Sequence, residues 1–318
     1  MSGGACKEVI DLHIRIATRK SQLAVWQAEH VASLLEGLDA VDSVELVRLS
    51  TRGDEILDRS LQKIGGKGLF IKELEVAMQE DRADLAVHSM KDVPAEMPDG
   101  FCIAAILERA SHADALVSGG VPFADLREGA VVGSSSLRRQ AQLRAMRPDL
   151  DIRPLRGNVN TRLAKFDAGE FDAIILAAAG LERLGMGERI TARFGIDEML
   201  PAASQGVIGI ECLESRSDLR AVLAALDHEP TVRTTLAERE VARALDASCQ
   251  SPVAAHATIA DGTLSLTGLA ALPDGSQVIR ANSSGHPTDA VEIGAAVARG
   301  LAEQGVEALL ERARQMTE

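Results

Sequence analysis

Apolar positions along the first half of the chain switch repeatedly between a strand-like and a helical period. H-I-R-I-A-T (13–18) predicts a strand, S-Q-L-A-V-W-Q-A-E-H-V-A-S-L-L-E-G (21–37) an amphipathic helix with Ser21 near its cap and Gly37 near its end, and V-E-L-V-R-L-S (44–50) a second strand. A polar, glycine-bearing stretch (51–68) precedes a helix over about 69–82, a strand entering A-V-H-S-M-K-D-V-P (86–94), and an apolar run at 101–107. The pattern restarts near Asp114, with strands at 130–136, 151–155 and 172–179, each followed by a segment of helical period. Such alternation predicts two α/β units built on mainly parallel sheets covered on both faces. A strand at 206–212, a helix over about 216–227 and a long helix at 231–245 come next. From Cys249 the texture becomes short strands, an Asp274-Gly275 turn and one final helix over about 288–315, the pattern of a small α+β domain.

Composition narrows what such a body does. The 318 residues are 46% hydrophobic, ample for full cores. The first residues carry no apolar run of signal-peptide length and no segment approaches the roughly 20 apolar residues of a spanning helix, so a cytoplasmic location is the default expectation. Four scattered cysteines (Cys6, Cys102, Cys212, Cys249) form no C-x-x-C pair and suggest neither a zinc site nor a disulfide framework. A formal net charge of −13 argues against nucleic acid or an anionic membrane as partner, and an aromatic content of 2% without tyrosine argues against a base-stacking platform. Between Val131 and Lys165, however, eight basic residues (Arg138, Arg139, Arg144, Arg147, Arg153, Arg156, Arg162, Lys165) face only Asp149 and Asp151. That contrast points to a small anionic ligand.

Ligands of parallel α/β folds sit outside the carboxyl ends of the strands, and several polar clusters fall there. A-T-R-K-S (17–21) places Arg19 after the first strand and Ser21 at a helix start, a pattern that an ordinary capping turn also explains. V-G-S-S-S-L-R-R (132–139) runs a strand end into a helix start, where Ser134, Ser135, Ser136 and unpaired N–H groups can cradle an anion. Arg138 and Arg139 oppose the helix dipole there, which makes sense if a bound anion reverses the local field, although two surface arginines without a ligand would give the same pattern. L-R-G-N-V-N-T-R-L (155–163) repeats the device with Arg156 and Arg162. The loop that ends G-G-K-G-L-F lacks phosphate-loop spacing, so Lys63 and Lys67 read either as a lid or as a plain flexible loop. Asp92, beside Lys91 and near Ser89 and His88, is a carboxylate among basic loops, and Cys249 lies in a polar turn past a helix.

Taken together and in this order, R-I-A-T-R-K-S (15–21), T-R-G-D (51–54), G-G-K-G-L-F-I-K-E-L-E (65–75), A-V-H-S-M-K-D-V-P (86–94), G-S-S-S-L-R-R-Q (133–140), L-R-G-N-V-N-T-R-L (155–163), D-A-I-I-L-A-A-A-G-L-E-R-L (172–184) and C-Q-S-P-V (249–253) closely resemble the porphobilinogen deaminase (hydroxymethylbilane synthase) family. The resemblance implies two α/β domains arranged like periplasmic binding proteins, residues 1–110 with 205–227 and residues 111–204, plus an α+β domain over 228–318. It implies a transferase that condenses four porphobilinogen molecules head to tail with loss of ammonia, then releases hydroxymethylbilane with one water. The implied cofactor is a dipyrromethane held by a thioether to Cys249, in a monomeric enzyme of porphyrin biosynthesis.

On that resemblance the residues acquire roles. Asp92 is the catalytic carboxylate, placed to stabilise electron-poor pyrrole cations and to help move protons. Ser89, Lys91, Ser136, Arg138 and Arg139 join Asp92 and Cys249 around the cofactor. Arg19, Ser21, Lys63, Lys67, Ser134, Ser135, Arg156, Arg162, Arg183 and Gln205 serve the acetate and propionate groups of substrate. His88 reads as a packed strand residue. Ala247 and Ser248 stand where the family commonly has two glycines before the cysteine. A non-catalytic anion-binding protein would explain the arginines and a cleft, but not Asp92 combined with a loop cysteine.

Overall fold

A computed structural model describes residues 12–51, 71–248 and 251–317. The chain begins with β1 (Leu12–Arg19), α1 (Gln22–Leu35) and β2 (Val41–Leu49), a βαβ unit whose strands pair in parallel. The Ser21 hydroxyl accepts a hydrogen bond from the Ala24 N–H and so caps α1. Ala28, Val31 and Leu35 of α1 lie on one face and pack on Ile14 and Ile16 of β1. Then come α2 (Lys72–Gln79), β3 (Leu85–Ser89) and β4 (Phe101–Ile106).

Beyond β4 the chain crosses into a second five-stranded sheet: β5 (Asp114–Val117), β6 (Val131–Gly133), α3 (Leu137–Met146), β7 (Asp151–Arg153), α4 (Val159–Asp167), β8 (Ala173–Ala177), α5 (Ala178–Arg183) and β9 (Ala192–Arg193). It returns as β10 (Ile208–Leu213), which inserts between β3 and β4, followed by α6 (Ser217–Leu223). The sheet orders are β2-β1-β3-β10-β4 and β7-β6-β8-β5-β9. Two α/β lobes thus exchange the chain twice, the body that the family resemblance implied.

These sheets are mixed rather than mainly parallel. β10 runs antiparallel to both β3 and β4, and β5 runs antiparallel to both β8 and β9. Each is the strand that follows a crossing between lobes, so it enters its sheet from the opposite end to the βαβ strands. At the second crossing Gly206 takes φ +87°, and a Cβ there would lie 2.6 Å from the Ser111 carbonyl oxygen of the first crossing. The Ala110 N–H donates to the Gly206 carbonyl at 3.1 Å. Only glycine lets the two connections pass this closely.

The last part is α+β: α7 (Glu229–Ala244), an antiparallel sheet of β11 (Val253–Ala260), β12 (Thr263–Ala271) and β13 (Val278–Gly285), then α8 (Ala290–Ala302) and α9 (Val306–Gln315). The single final helix expected from periodicity is broken at Gly305, whose φ of +81° ends the helical run. The predicted strand at 130–136 stops at Gly133, and the one at 172–179 turns helical at Ala178. Cys102 and Cys212, distant in sequence, stand opposite one another on β4 and β10, and burial beside Cys102 pushes the Cys212 thiol up to about 12.

This third unit touches both lobes. Ala254, Leu269 and Ala271 share a buried cluster with Ala141 of α3, and Arg144 of α3 donates to the Pro273 carbonyl at 2.6 Å. On the other side Val232 of α7 packs on the cluster of Met90, Val93 and Val207.

Candidate active site

The end of β3 in the first lobe faces the arginines of the second. β3 delivers Ser89, and a single 3-10 turn, Met90–Asp92, follows at once. The Ser89 hydroxyl accepts from Gln27 Nε2 at 2.8 Å, which ties the strand end to α1. Met90 is buried, whereas Asp92 is exposed and its side chain has no hydrogen-bond or ion-pair partner among the described residues. His88 points the other way, into the interior, where Nε2 lies 2.7 Å from Oε2 of buried Glu211. It is a packed strand residue held by a buried partner, as the sequence suggested.

Asp92 looks across to the second lobe. Its negative charge acts on Arg139 and Arg162, holding both guanidinium groups more basic than burial alone would leave them. Arg162 is lowered to about 10, by burial first and by Arg139 next. Its Nε is shut from solvent without a hydrogen-bond partner among the described residues. An uncompensated buried N–H of a cation is expensive. Arg156, just past β7, adds further positive potential at Arg162.

Lys91 reaches the same region from the first lobe. Burial lowers it to about 8, opposed by the charge of Asp92, and its amine makes one long contact of 3.5 Å to Gln205 Oε1. Gln205 in turn donates from Nε2 to the His112 carbonyl at 2.7 Å and to Asp114 Oδ1 at 3.0 Å. A polar path therefore runs from the first lobe through the crossing into the second.

Asp114 explains the paired arginines of α3. Arg138 Nη1 lies 2.6 Å from Asp114 Oδ2, and Arg139 Nη2 lies 2.6 Å from Oδ1, with both guanidinium groups almost fully buried. Arg138 also donates to the Leu200 carbonyl and Arg139 to the Ile175 carbonyl. The anion that reverses the local field is in the first instance a carboxylate of the chain itself. Two cations around one carboxylate still leave a net positive charge.

Other members of the basic segment are spoken for. Arg147 pairs with Asp149 and Arg153 with Asp151, both at the surface, while Arg144 turns to the β12–β13 hairpin. The positive region is narrower than the sequence count implied, because short-range pairs neutralise its outer part. Ser134 is buried and its Oγ accepts from the Ser136 N–H, Ser135 donates to the Leu155 carbonyl, and Ser136 stands at the N-cap of α3 without a side-chain cap bond.

Arg19 closes β1 and Ser21 begins α1 beside these strand ends. Arg183 sits at the junction of the lobes, donating to the Gly206 carbonyl at 2.8 Å and lying 5.8 Å from the Trp26 ring centre. An open groove of about 420 Å³ lined by Lys20, Trp26, Arg48 and Arg183 adjoins it. The groove lies apart from Asp92, so its volume does not locate the chemistry. Lys63, Lys67 and Cys249 lie outside the described residues.

Sequence reasoning missed Asp114, Arg109, Glu238 and Arg239. Glu238 of α7 is fully buried and accepts from Arg109 Nη2 at 2.9 Å, the Ser204 N–H at 2.6 Å and the Ala257 N–H at 2.8 Å, joining the crossing to the third unit. Its carboxyl is held below its ordinary range chiefly by Arg109, against the opposing effect of burial. An acidic residue opening the apolar strand D-A-L-V was the one available signal for Asp114. Glu238 and Arg239 lie in a helix of ordinary charge pattern and gave none.

No described helix is long and apolar enough to cross a membrane, and no metal-binding cluster of His, Cys, Asp or Glu occurs among the described residues. Residues 14–221 match the family model described as porphobilinogen deaminase, dipyromethane cofactor binding domain, and residues 232–303 match porphobilinogen deaminase, C-terminal domain. The porphobilinogen deaminase of Chromobacterium violaceum is 55% identical over 298 residues, covering 93% of this chain and 96% of that one. Those of Paraburkholderia phytofirmans (54% over 294 residues, 91% of this chain and 86% of that one) and Bordetella parapertussis (52% over 298 residues, 93% and 95%) are similar over nearly the same span.

Proposed function

This chain belongs to the porphobilinogen deaminase family, and we propose that it joins porphobilinogen units in the cleft between its lobes with Asp92 as catalytic carboxylate. Family membership carries the transferase activity of porphyrin biosynthesis and a dipyrromethane cofactor domain. The assignment of residues rests on one observation: Asp92 is an exposed carboxylate without a partner among the described residues, in a site of net positive charge. Lys91, Arg138, Arg139, Arg156 and Arg162 set five positive charges against Asp92 and Asp114.

A dipyrromethane carries an acetate and a propionate on each ring, and the donor set fits such a group. The Nε of Arg162, without a partner among the described residues, the amine of Lys91 with its one long contact to Gln205, and the start of α3, where Ser136 makes no side-chain cap bond, suit carboxylate groups. Lys91, Ser89, Ser136, Arg138 and Arg139 would hold the cofactor, with Cys249 as its thioether anchor. When bound, it supplies the nucleophilic pyrrole end to which the first substrate is joined. Arg19, Ser21, Ser134, Ser135, Arg156, Arg162, Arg183 and Gln205, with Lys63 and Lys67, would receive the carboxylates of incoming porphobilinogen.

Asp92 then does what none of the cations can. Ammonia leaves the substrate aminomethyl group and the electron-poor ring that remains is cationic, so a carboxylate accepting its N–H hydrogen bond lowers the barrier. The same carboxylate can take the proton lost when the new carbon–carbon bond restores aromaticity. The surrounding arginines hold the substrate's carboxylates away from Asp92. On this reading residues 1–110 with 205–227 form one wall, 111–204 the other, and 228–318 carry the anchor, in a monomer of the cytoplasm.

Incubation with porphobilinogen followed by acid oxidation should give porphyrin colour. Denaturing mass spectrometry of the intact protein should show added mass of two condensed pyrrole units, absent in Cys249→Ala. Active protein at its bare sequence mass would refute the anchor, and monomer mass in light scattering checks the oligomeric state.

A further inference from the structure

Arg239 of α7 reaches across to the segment that follows Asp92. Its Nη1 donates to the Val93 carbonyl at 3.2 Å, and its Nη2 donates to the carbonyls of Pro94 at 2.6 Å and Ala95 at 3.2 Å. Among the described residues no carboxylate pairs with it, and burial alone lowers it to about 10. Placing a cation in a half-buried site against carbonyls instead of an acid is costly. What it gains is geometry, because three consecutive carbonyls are gathered by one rigid fork.

Those carbonyls belong to the residues directly after Asp92, and the turn before it is fixed by different means. Met90 is buried, its N–H donates to the Val207 carbonyl at 3.0 Å, and Val93 closes the turn by donating to the Met90 carbonyl. Asp92 itself has no hydrogen-bond or ion-pair partner among the described residues, so there its direction is set by the backbone on either side. The upstream side is anchored in the first lobe; downstream, Val93 packs in the cluster of Met90 and Val207, and the fork of Arg239 holds the carbonyls of Val93, Pro94 and Ala95. α7 ends at Ala244, shortly before Cys249 in the chain.

We infer that Arg239 is a positioning residue that fixes the Asp92 carboxylate relative to the third domain, acting through its fork on the Val93–Ala95 carbonyls. Lysine cannot replace it fully, since an ammonium offers no planar fork of donors. The inference rests on Asp92 being the catalytic carboxylate.

The test is a double-mutant cycle in cofactor-loaded protein, with Arg239→Met, Asp92→Asn and the double variant compared at equal loading. Arg239→Met should lower kcat by ~10- to 100-fold, the range that a misplacement of about 1 Å produces, with KM within about twofold and a near-normal melting temperature. Amide hydrogen exchange in a peptide spanning 90–97 should quicken, a change that does not depend on activity. In the Asp92→Asn background the same substitution should have little further effect. Equal effects of Arg239→Met in both backgrounds would overturn the inference while leaving Asp92 in place. A nearly normal Asp92→Asn enzyme would instead remove the reading on which it rests. If Arg239→Met fails to fold, Arg239→Lys serves, with a smaller loss of kcat and partly quickened exchange expected; normal values of both would reject the role.

Discussion

Arg139 Nη2 lies 2.6 Å from Asp114 Oδ1, in an interior where the same carboxylate also binds Arg138. Removing the carboxylate strands two buried cations, and breaking such a group by deleting one partner typically costs ~3–5 kcal/mol. Asp114→Ala should therefore melt far below the parent protein, and denaturant titration of the pair of proteins measures the difference.

The same triad sets an acid limb for stability. The two guanidinium groups hold the Asp114 carboxyl far below its ordinary value, against burial, which opposes ionisation. Its contribution is present in full above the unfolded-state value near 4 and fades as pH falls from there toward the depressed folded value. Stability followed by denaturant between pH 5 and pH 2, a window chosen to span roughly that range, should fall less steeply in Asp114→Asn than in the parent protein. Parallel curves would contradict the assignment.

Lys91 gives an alkaline limb for activity. Burial brings its amine to about 8, while Asp92 and Asp114 raise it and Arg138 and Arg139 lower it. Below that value it is a cation able to bind a carboxylate; above it the charge is lost. The ratio kcat/KM, which reports the free enzyme, should fall above pH 8 as Lys91 loses its hold on a cofactor carboxylate. In Lys91→Gln the ratio should be low throughout and this limb should vanish.

Arg162 presents the opposite balance of stability and function. Its buried Nε has no partner among the described residues, so Arg162→Met removes an uncompensated polar group. The melting temperature should stay equal or rise, while KM for porphobilinogen rises ~10-fold or more, the loss expected of one charge-assisted hydrogen bond of about 1.5–3 kcal/mol. A fall in melting temperature without a kinetic effect would show Arg162 to be a structural residue.

Much of the fold was legible because local rules set it. The period of α1, its Ser21 cap and the strands around it follow from adjacent residues. The sense of β5 and β10 was not, because it depends on where the chain crosses between lobes. The site shows the same division. Asp92 and Lys91 stood out as charges at a strand end, whereas Asp114, Glu211 and Glu238 are single acids whose partners lie far along the chain. Arg138 and Arg139 were noticed for their place at a helix start, but only the fold identifies the carboxylate between them.

The central claim is that one aspartate serves the condensation. Turnover of porphobilinogen by Asp92→Asn, measured on protein carrying its full cofactor mass and melting like the parent, tests it most directly. Loss of a preorganised partner worth about 3–4 kcal/mol predicts a kcat lowered by hundreds-fold or more. Turnover within a few-fold of the parent protein would contradict the account.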